Sequence, residues 1–519
     1  MSATNSRRGL GREGSMDSVE VVMNDATMQL LHWASTQPNA HLLITRGRVY
    51  SYAEFTRRAL VIVGLLRSAG FLRGRRVALF LEEYDQFFVS MFGIWLAGGV
   101  VVPLNTTLPG KDIDWLIAKA HPAFLVVTDE ARCRSDGPIR IVLPSDNGNL
   151  VAPGKPVAED ELSPVRPDEL AMIMFTSGTT GLPKGVCQTL SCISANAGNV
   201  ALTLGVGSAD RIFLNIPPYF TSAICHFLTL MTNGGGVAAQ LGFFFGDNLL
   251  AKMEELGCTG FGGAPTHLVR VVETMKAPRE HGIRFWISSG DHLPLHVSGK
   301  LRRMLPGVRL FNMYGLTEVG GRLCILPPEE TDVRIGSVGR PIADMAVIAR
   351  DPERNLLPAG TVGELYVTGS LLMQGYLDEP KITADTLTDH GLRSGDFGWV
   401  DENGYVWISG RKDDIIKCGG EKVSTIQVQQ ALVELDIFAD VAVIAAPDAI
   451  LGHVPIACVV PKNTEDFKAS KVLRRLKALL PGASLPSRIV AVREIPRTGS
   501  GKVIRVELQK LLGDTSGWL

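Results

Sequence analysis

The chain has 519 residues, of which 45% are hydrophobic and 20% charged, a composition typical of a globular protein with more than one domain. Its 52 basic and 53 acidic residues leave a net charge of −1, which gives no electrostatic reason to expect a nucleic acid partner. Eight scattered cysteines without a CxxC pair favour neither a disulfide framework nor a zinc site, so we expect a reducing, cytoplasmic location.

The first part of the chain is polar and contains no apolar core. It does not resemble a secretory signal, so we expect a disordered leader over 1–20, with Met1 and Met16 as alternative starts. Residues 86–110 are uncharged, but a Gly-Gly pair at 98–99 interrupts the apolar run before the β-branched sequence VVVP. This pattern predicts a buried helix followed by a buried strand, and no membrane span.

Short β-rich runs alternate with longer helical segments through the first half of the chain. This alternation predicts an α/β fold with a largely parallel sheet. The strand-like runs are RRVALFL (75–81), GVVVPL (99–104), FLVVTD (124–129), RIFLNIPP (211–218) and GGVAAQL (235–241).

Two later regions have a different pattern. Residues 333–370 are rich in Gly and Pro turns, which predicts short antiparallel strands. From about residue 411 onward the pattern indicates a unit of about a hundred residues, the size of one small domain. Its predicted elements are a helix (425–435), two strands (441–446 and 455–461) and a basic amphipathic helix (467–480).

The sharpest motif lies within MIMFTSGTTGLPKGV (172–186), where an apolar strand runs into a loop of hydroxyl and glycine residues. Glycines expose backbone N–H groups, hydroxyls add donors and a lysine adds a point charge, which is the environment that a polyphosphate needs. The loop residues are Thr176, Ser177, Gly178, Thr179, Thr180 and Gly181, followed by Lys184.

TSGTTGLPKG resembles the phosphate-loop signature of the adenylate-forming (AMP-binding) superfamily, which includes acyl- and aryl-CoA synthetases, stand-alone adenylation enzymes and beetle luciferases. Four further motifs in the family's order extend the resemblance over about 170–505. It implies a large α/β N-terminal domain with mixed and parallel sheets and a small β subdomain, and a smaller mobile α+β lid domain. The expected ranges are 21–410 and 414–519, joined by a hinge at 411–413.

The second motif is FNMYGLTEVGG (311–321), in which Asn312 and Tyr314 can face a purine and Thr317 and Glu318 can approach a metal-bound phosphate. The resemblance implies that Tyr314 packs against adenine and that Glu318 helps to hold Mg²⁺. A single carboxylate is enough, because Mg²⁺ keeps several waters. The nucleotide site is expected to include Gly315 as well.

Residues 393–420 carry two further motifs. Asp396 resembles the family aspartate that accepts hydrogen bonds from both ribose hydroxyls, and Arg411 resembles its arginine partner. DENG, 401–404, is predicted to be a hairpin turn. The resemblance also makes Asp413 the pivot of the small domain and places the glycines of a narrow thiol tunnel at Gly419 and Gly420.

The last motif is PRTGSGK (496–502), which fails as a P-loop and resembles the PRTxxGK segment of the family. The resemblance places Lys502 on a mobile loop that enters the active site for the first half-reaction only. There it contacts the substrate carboxylate and the α-phosphate as pyrophosphate leaves. The expected catalytic residues are therefore Lys502, Lys184, Thr317 and Glu318.

The acyl pocket is expected to follow IPPYF and to be mainly apolar. Thr221 replaces the aspartate that pairs with the ammonium group in amino-acid adenylation domains, which disfavours an α-amino acid. An aromatic or medium-chain acid is favoured instead. His226, His292 and His296 are predicted to be structural or solvent-facing, and the GFFFGD run (242–247) to be core. The predicted pocket residues are Phe220, Thr221, Cys225, Gly262, Gly263, Gly290, Gly315 and Leu316.

The resemblance implies an ATP-dependent acid–thiol ligase that forms acyl-AMP, releases pyrophosphate and transfers the acyl group to CoA. Two alternatives stay open for the acceptor: the phosphopantetheine of a carrier protein, or a non-thiol acceptor. A nucleotide-binding regulator without catalysis is disfavoured because it would not need the mobile lysine. The expected assembly is a monomer or a homodimer.

Overall fold

The computed structural model describes the chain in segments, and the predicted leader 1–20 lies outside them. These segments are 25–128, 137–143, 157–176, 183–242, 244, 246–290, 293, 295–411, 414–418, 421–448, 450–464, 467–480, 482–497 and 503–513.

The N-terminal part of the chain alternates helices and strands, as the sequence predicts. The five predicted strands of this part are present, each two to four residues shorter than expected. The described elements are α1 (Ala26–Thr36), β1 (His41–Thr45), β2 (Arg48–Ser51), α2 (Tyr52–Ser68), β3 (Arg76–Phe80), α3 (Tyr84–Leu96), β4 (Val100–Pro103), α4 (Gly110–Ala120), β5 (Phe124–Val127), β6 (Ile139–Val142), β7 (Leu170–Thr176), β8 (Lys184–Thr189), α5 (Leu190–Leu204), β9 (Arg211–Leu214), α6 (Thr221–Thr232), β10 (Gly236–Ala239), α7 (Gly246–Glu255), β11 (Gly260–Gly263), α8 (Pro265–Thr274), β12 (Phe285–Ser289), α9 (Leu295–Met304), β13 (Arg309–Tyr314), β14 (Cys324–Leu326), β15 (Arg340–Pro341), β16 (Met345–Arg350), β17 (Gly363–Gly369), β18 (Gly375–Tyr376), α10 (Pro380–Thr386), β19 (Leu387–Thr388), β20 (Gly391–Val400) and β21 (Val406–Arg411).

Two mixed sheets form the body of the large domain. Within the described residues, the first has the order β15-β14-β13-β12-β11-β9-β10-β1-β2 and the second the order β18-β8-β7-β4-β3-β5-β6. The inner pairs, such as β9 with β11 and β3 with β4, are parallel, whereas β8 and β14 are antiparallel to their neighbours. Ligands of such sheets bind beyond the carboxyl ends of the parallel strands, where β7, β11 and β13 end here.

The uncharged stretch 86–110 is a buried helix, α3, followed by a buried strand, β4, as predicted. The indole of Trp95 donates a hydrogen bond of 2.9 Å to the carbonyl of Ala171, so α3 is tied to β7. Phe88 of α3 stacks on Phe227 of α6 with ring centroids 4.0 Å apart. This contact anchors α6, the helix that follows IPPYF, against the core. No helix in the described ranges is long and apolar enough to span a membrane.

A small antiparallel sheet with the order β16-β17-β20-β19 completes the large domain, and β21 pairs with β20. It confirms the antiparallel strands predicted within 333–370. The register of β20 and β21 places Asp396 directly opposite Arg411. The predicted turn at 401–404 is present, closed by a hydrogen bond from Gly404 N–H to the Asp401 carbonyl.

A fourth sheet, with the order β23-β22-β25-β24 and with β26 parallel to β25, forms the smaller C-terminal domain. Alternate residues of β24 face opposite sides: Val441 and Val443 pack with α11 and α12, and Ala442 and Ile444 pack with Leu508 of α13. The basic helix predicted over 467–480 is shorter, whereas both predicted strands are longer. The elements are β22 (Ile415–Cys418), β23 (Glu421–Ser424), α11 (Thr425–Glu434), β24 (Phe438–Asp448), β25 (Gly452–Pro461), α12 (Ala469–Leu476), β26 (Arg488–Ala491) and α13 (Arg505–Gly513).

Candidate active site

Three residues predicted to bind the nucleotide lie together where β13, β20 and β21 meet. The hydroxyl of Tyr314 donates a hydrogen bond of 2.5 Å to Oδ2 of Asp396, and Nε of Arg411 lies 3.3 Å from Oδ1. Asp396 is only 4% exposed. The structure therefore brings together the predicted adenine-packing tyrosine, the predicted ribose aspartate and its arginine partner.

The electrostatics of this cluster set the protonation states of its members. Burial raises the pKa of Asp396, while the Arg411 guanidinium and the Tyr314 hydroxyl act in the opposite direction. Burial and the neighbouring carboxylate raise the pKa of Tyr314 well above its ordinary value, so its hydroxyl keeps the proton. The tyrosine is thus a hydrogen-bond donor at neutral pH, and the carboxylate is held in one orientation.

The β7–β8 hairpin carries the start and the end of the phosphate loop. Thr176 and Lys184 are paired across it, and the Thr176 hydroxyl donates a hydrogen bond of 3.4 Å to the Lys184 carbonyl. Lys184 Nζ lies 5.3 Å from the ring centroid of Tyr376, whose hydroxyl donates a hydrogen bond of 2.8 Å to Oε1 of Glu318. Tyr376 therefore contacts both the predicted phosphate lysine and the predicted magnesium ligand. Ser177, Gly178, Thr179, Thr180 and Gly181 lie outside the described residues.

The predicted metal ligand and its neighbours form a short 3₁₀ turn, Thr317–Val319, just after β13. The Gln188 side-chain amide donates to the carbonyl of Thr317, and Met373 N–H donates to that of Glu318 at 2.8 Å. At Gly315 a Cβ would run into the carbonyl of Gly321, because the chain folds back on itself there. The amide of Asn312, predicted to face a purine, donates to the Ser337 carbonyl at 3.4 Å.

The predicted acyl pocket lies between the start of α6, the end of β11 and the segment after β13. The thiol of Cys225 donates a hydrogen bond of 3.2 Å to the carbonyl of Gly320. A Cβ at Gly262 would lie 2.6 Å from Nε2 of His226, so only glycine allows the strand to approach α6 this closely. Three segments that are distant in the sequence therefore line one region.

The other predicted pocket residues lie at the ends of the same elements. Phe220 is the N-cap residue of α6 and Thr221 its first residue, and Gly263 is the last residue of β11. Leu316 follows β13 and is buried. Gly290 follows β12 with a φ of +100°.

Of the histidines predicted to be structural or solvent-facing, His226 is buried. It is 2% exposed, and burial lowers its pKa to about 3, so the imidazole is neutral. Its Nε2 has no hydrogen-bond partner among the described residues. It lies beside the predicted pocket because its imidazole packs against Gly262 of β11. His292 and the side chain of His296 lie outside the described residues.

Some residues of the candidate site were not identified from the sequence. Tyr376 and Gln188 belong to no motif and join the site only by tertiary contact, whereas Arg322 is visible as a charge within the apolar run GGRLCIL.

Of the GFFFGD run, Phe244 packs in the core, with its ring centroid 5.4 Å from that of Phe213. The predictions for Lys502, Asp413, Gly419 and Gly420 fall outside the described residues and stay predictions.

Comparisons with known proteins agree with this geometry. Residues 30–377 match the family described as AMP-binding enzyme, and residues 427–502 match its C-terminal domain. The chain is 29% identical to feruloyl-CoA synthase of an Amycolatopsis species, over 92% of this chain and 97% of that protein. It is 28% identical to medium-chain fatty-acid–CoA ligase of Escherichia coli K12, over 89% and 86% of the two chains.

A solved structure gives the same result for the fold. ATP-bound MatB from Rhodopseudomonas palustris superposes with a TM-score of 0.85 at 26% identity, over 95% of this chain and all of that one. The chain therefore belongs to the AMP-binding enzyme family. The predicted superfamily, fold class and enzyme class are confirmed, with curated relatives that are CoA ligases. The domain boundaries at 410, 411–413 and 414 stay predictions.

The Asp396→Asn variant tests the role of this carboxylate in nucleotide binding separately from its effect on the stability of the fold. The change removes the charge that holds Arg411 and the ribose hydroxyls, so the KM for ATP should rise about tenfold or more. The pKa of Asp396 is higher in the folded than in the unfolded chain, so the stability linked to its protonated form is lost as pH rises through the folded-state pKa. At pH 7 the asparagine variant should therefore unfold at a temperature no lower than the wild type. An unchanged KM for ATP in pyrophosphate exchange would contradict the predicted role.

Tyr376→Phe keeps the ring beside Lys184 and removes only the hydroxyl that orients Glu318. We expect kcat for pyrophosphate exchange to fall about tenfold, since a hydrogen bond to a charged group is lost. The Mg²⁺ concentration for half-maximal exchange should rise as well. Tyr405→Phe, at the residue just before β21, is the matched control and should leave both values unchanged. Identical Mg²⁺ dependence in the wild type and Tyr376→Phe would argue against Glu318 as a metal ligand.

Proposed function

We propose that the chain is an AMP-forming acid–thiol ligase that activates a carboxylic acid with ATP and transfers the acyl group to the thiol of CoA. The observation that carries this proposal is that two clusters of side chains lie close together, beside the residues predicted to form the acyl pocket. Asp396, Tyr314 and Arg411 form the nucleoside side, and Lys184 and Glu318, joined through Tyr376, form the phosphate side.

The residues fit a nucleotide on physical grounds. A buried carboxylate that already accepts one hydroxyl and pairs with one guanidinium has lone pairs left for two ribose hydroxyls. Glu318 supplies one carboxylate oxygen donor, and Mg²⁺ typically takes one or two carboxylates beside substrate phosphates. When bound, Mg²⁺ neutralises charge on the polyphosphate.

In the first step an oxygen of the acid's carboxylate attacks the α-phosphorus of ATP, forming acyl-AMP and breaking the bond to pyrophosphate. Lys184 provides positive charge at the phosphates, and Lys502 is proposed to provide it at the reacting carboxylate. Thr317 lies beside Glu318, with its carbonyl held by Gln188, and is proposed to contact the phosphates.

In the second step the thiol sulfur attacks the carbonyl carbon of acyl-AMP, AMP leaves and the thiol proton passes to solvent. Rotation of the small domain about Asp413 is proposed to withdraw Lys502 and to bring in Gly419 and Gly420 around the thiol. One site then serves both steps, with domain motion as the gate.

An aromatic or medium-chain acid is favoured by the apolar part of the pocket and by relatives whose names specify feruloyl-CoA and medium-chain fatty-acid substrates. Free CoA is the favoured acceptor because the curated relatives are CoA ligases. A carrier-protein phosphopantetheine is the second candidate. We place the reaction in the cytoplasm, where the free cysteines of the described residues stay reduced.

The test is acid-dependent pyrophosphate exchange into ATP with a panel of acids, followed by product mass spectrometry with CoA and candidate carrier proteins. The proposal expects exchange with at least one acid and an acyl-CoA product. Exchange followed by acylation of a carrier protein, with no acyl-CoA product, would show that the carrier protein and not CoA is the acceptor. ATP binding with no exchange for any acid would favour a nucleotide-binding regulator.

Lys502→Ala should abolish adenylation and still allow supplied acyl-AMP to react with the thiol, because the lysine acts only while pyrophosphate leaves. Asp413→Pro should give the opposite result, sparing exchange and slowing thioester formation, because proline restricts the pivot. The two half-reactions are measured separately for both variants. Equal loss of both steps in Lys502→Ala would refute its assigned role.

A further inference from the structure

Arg322 is a buried cation in the region of the acyl pocket. It lies four residues after Glu318 and is 5% exposed. Its Nη2 atom is fully covered and has no hydrogen-bond partner among the described residues. Buried arginines in proteins are almost always paired, because an unpaired buried charge is strongly unfavourable. A side chain of this kind requires a partner that the described protein does not supply.

The position of Arg322 is fixed by its backbone. Its N–H donates to Oδ1 of Asn196 at 3.2 Å, and the Asn196 amide donates to its carbonyl at 2.7 Å. Asn196 itself is buried in α5. The backbone that carries the buried guanidinium is therefore held in a fixed turn.

The groups around the guanidinium belong to the predicted pocket. A Cβ at Gly321, the residue before Arg322, would run into Sγ of Cys225 and lie 3.3 Å from Cγ2 of Thr221, so this turn packs against the start of α6. Gly262 of β11 packs against His226 from the other side. Arg322 therefore shares one region with Thr221, Cys225 and Gly262, three of the residues predicted to contact the acid.

No protein group described here provides the counter-charge. Burial lowers the pKa of Arg322, and among the described residues only the Cys225 thiol is found to act against this. Burial raises the pKa of that thiol, so it stays protonated at neutral pH and carries no negative charge. Nε2 of the neutral His226 is a second polar atom here without a partner.

We propose that Arg322 binds a second anionic group of the acid, so that the substrate carries a carboxylate or sulfonate in addition to the carboxylate that is adenylated. The proposal rests on the proposed function and narrows its substrate class from aromatic or aliphatic acids in general to those with a remote acidic group. Nε2 of His226 lies beside the same group and provides a neutral hydrogen-bonding partner. A simple monoacid would leave the guanidinium desolvated and unpaired, which gives the site its selectivity.

Matched acids test the proposal by pyrophosphate exchange. Each pair consists of a monoacid and the corresponding diacid: hexanoate with adipate, and cinnamate with 4-carboxycinnamate. A further acid, 3-sulfopropanoate, tests a sulfonate as the second anionic group. In the wild type, kcat/KM should be about tenfold to a hundredfold higher for the dianionic member, the size of a hydrogen-bonded charge interaction. Arg322→Met should remove or invert this preference, and Arg322→Lys should keep part of it.

Arg309→Met is the matched control. Arg309 lies on β13, and its guanidinium already donates to the Leu204 carbonyl at 3.1 Å, so its removal should leave acid selectivity unchanged. A wild-type preference for monoacids that Arg322→Met leaves unchanged would overturn the proposal. A raised KM for ATP with unchanged acid selectivity would also overturn it, since Arg322 would then serve the nucleotide.

Thermal unfolding gives a readout that does not depend on activity. Without acid, Arg322→Met should unfold at a higher temperature than the wild type, because an unpaired buried charge has been replaced by an apolar side chain. Adipate or 4-carboxycinnamate should stabilise the wild type and not the variant. If no acid supports exchange, the proposed function fails, yet stabilisation that depends on Arg322 would still support the anion site. If stabilisation that depends on Arg322 is also absent, the proposed anion site is overturned as well.

Discussion

The buried side chain of Asn196 holds the two halves of the active site in one geometry. Its amide donates to the carbonyls of Val319 and Arg322 at 2.9 and 2.7 Å, and its oxygen accepts from the Arg322 N–H. The segment held by these hydrogen bonds directly follows Glu318, the predicted metal ligand, and ends at Arg322. A buried amide that satisfies both a donor and two acceptors makes this turn rigid. One side chain of α5 thus holds the turn that links the predicted phosphate side to the predicted acid pocket.

The buried charges of the site fall into two kinds. Asp396 is buried beside an arginine and a tyrosine hydroxyl, which offset part of the cost of burying its charge. Arg322 is buried without an equivalent partner among the described residues. Asp396 thus has partners within the protein, whereas Arg322 lacks a negatively charged partner. A ligand with an anionic group can supply the negative charge that Arg322 lacks. The same argument explains why an apolar pocket, inferred from Phe220, Cys225 and the glycines alone, describes only part of the site.

Much of the fold and the nucleotide side could be predicted from the sequence because both depend on local patterns. The apolar run before Thr176, the hairpin turn at 401–404 and the buried segment 86–110 were each readable from residue type and spacing. Strand ends were less accurate, since the points at which a strand leaves its ladder are not specified by residue propensity. The roles assigned to Lys502 and Asp413 stay predictions, because these residues lie outside the described structure.

Contacts between distant segments could not be predicted in the same way. Tyr376 joins Lys184 and Glu318 only because β18 pairs with β8, nearly two hundred residues away in the chain. His226 was expected to be structural or solvent-facing, and its place beside Gly262 follows from the packing of α6 against β11. The sequence by itself determined the family and the two-domain α/β plan, and it predicted the nucleotide residues Tyr314, Asp396 and Arg411, which the structure brings together. Tertiary structure decided which side chains lack a partner, because desolvation and pairing depend on every segment that surrounds a group and not on its own neighbours in the chain.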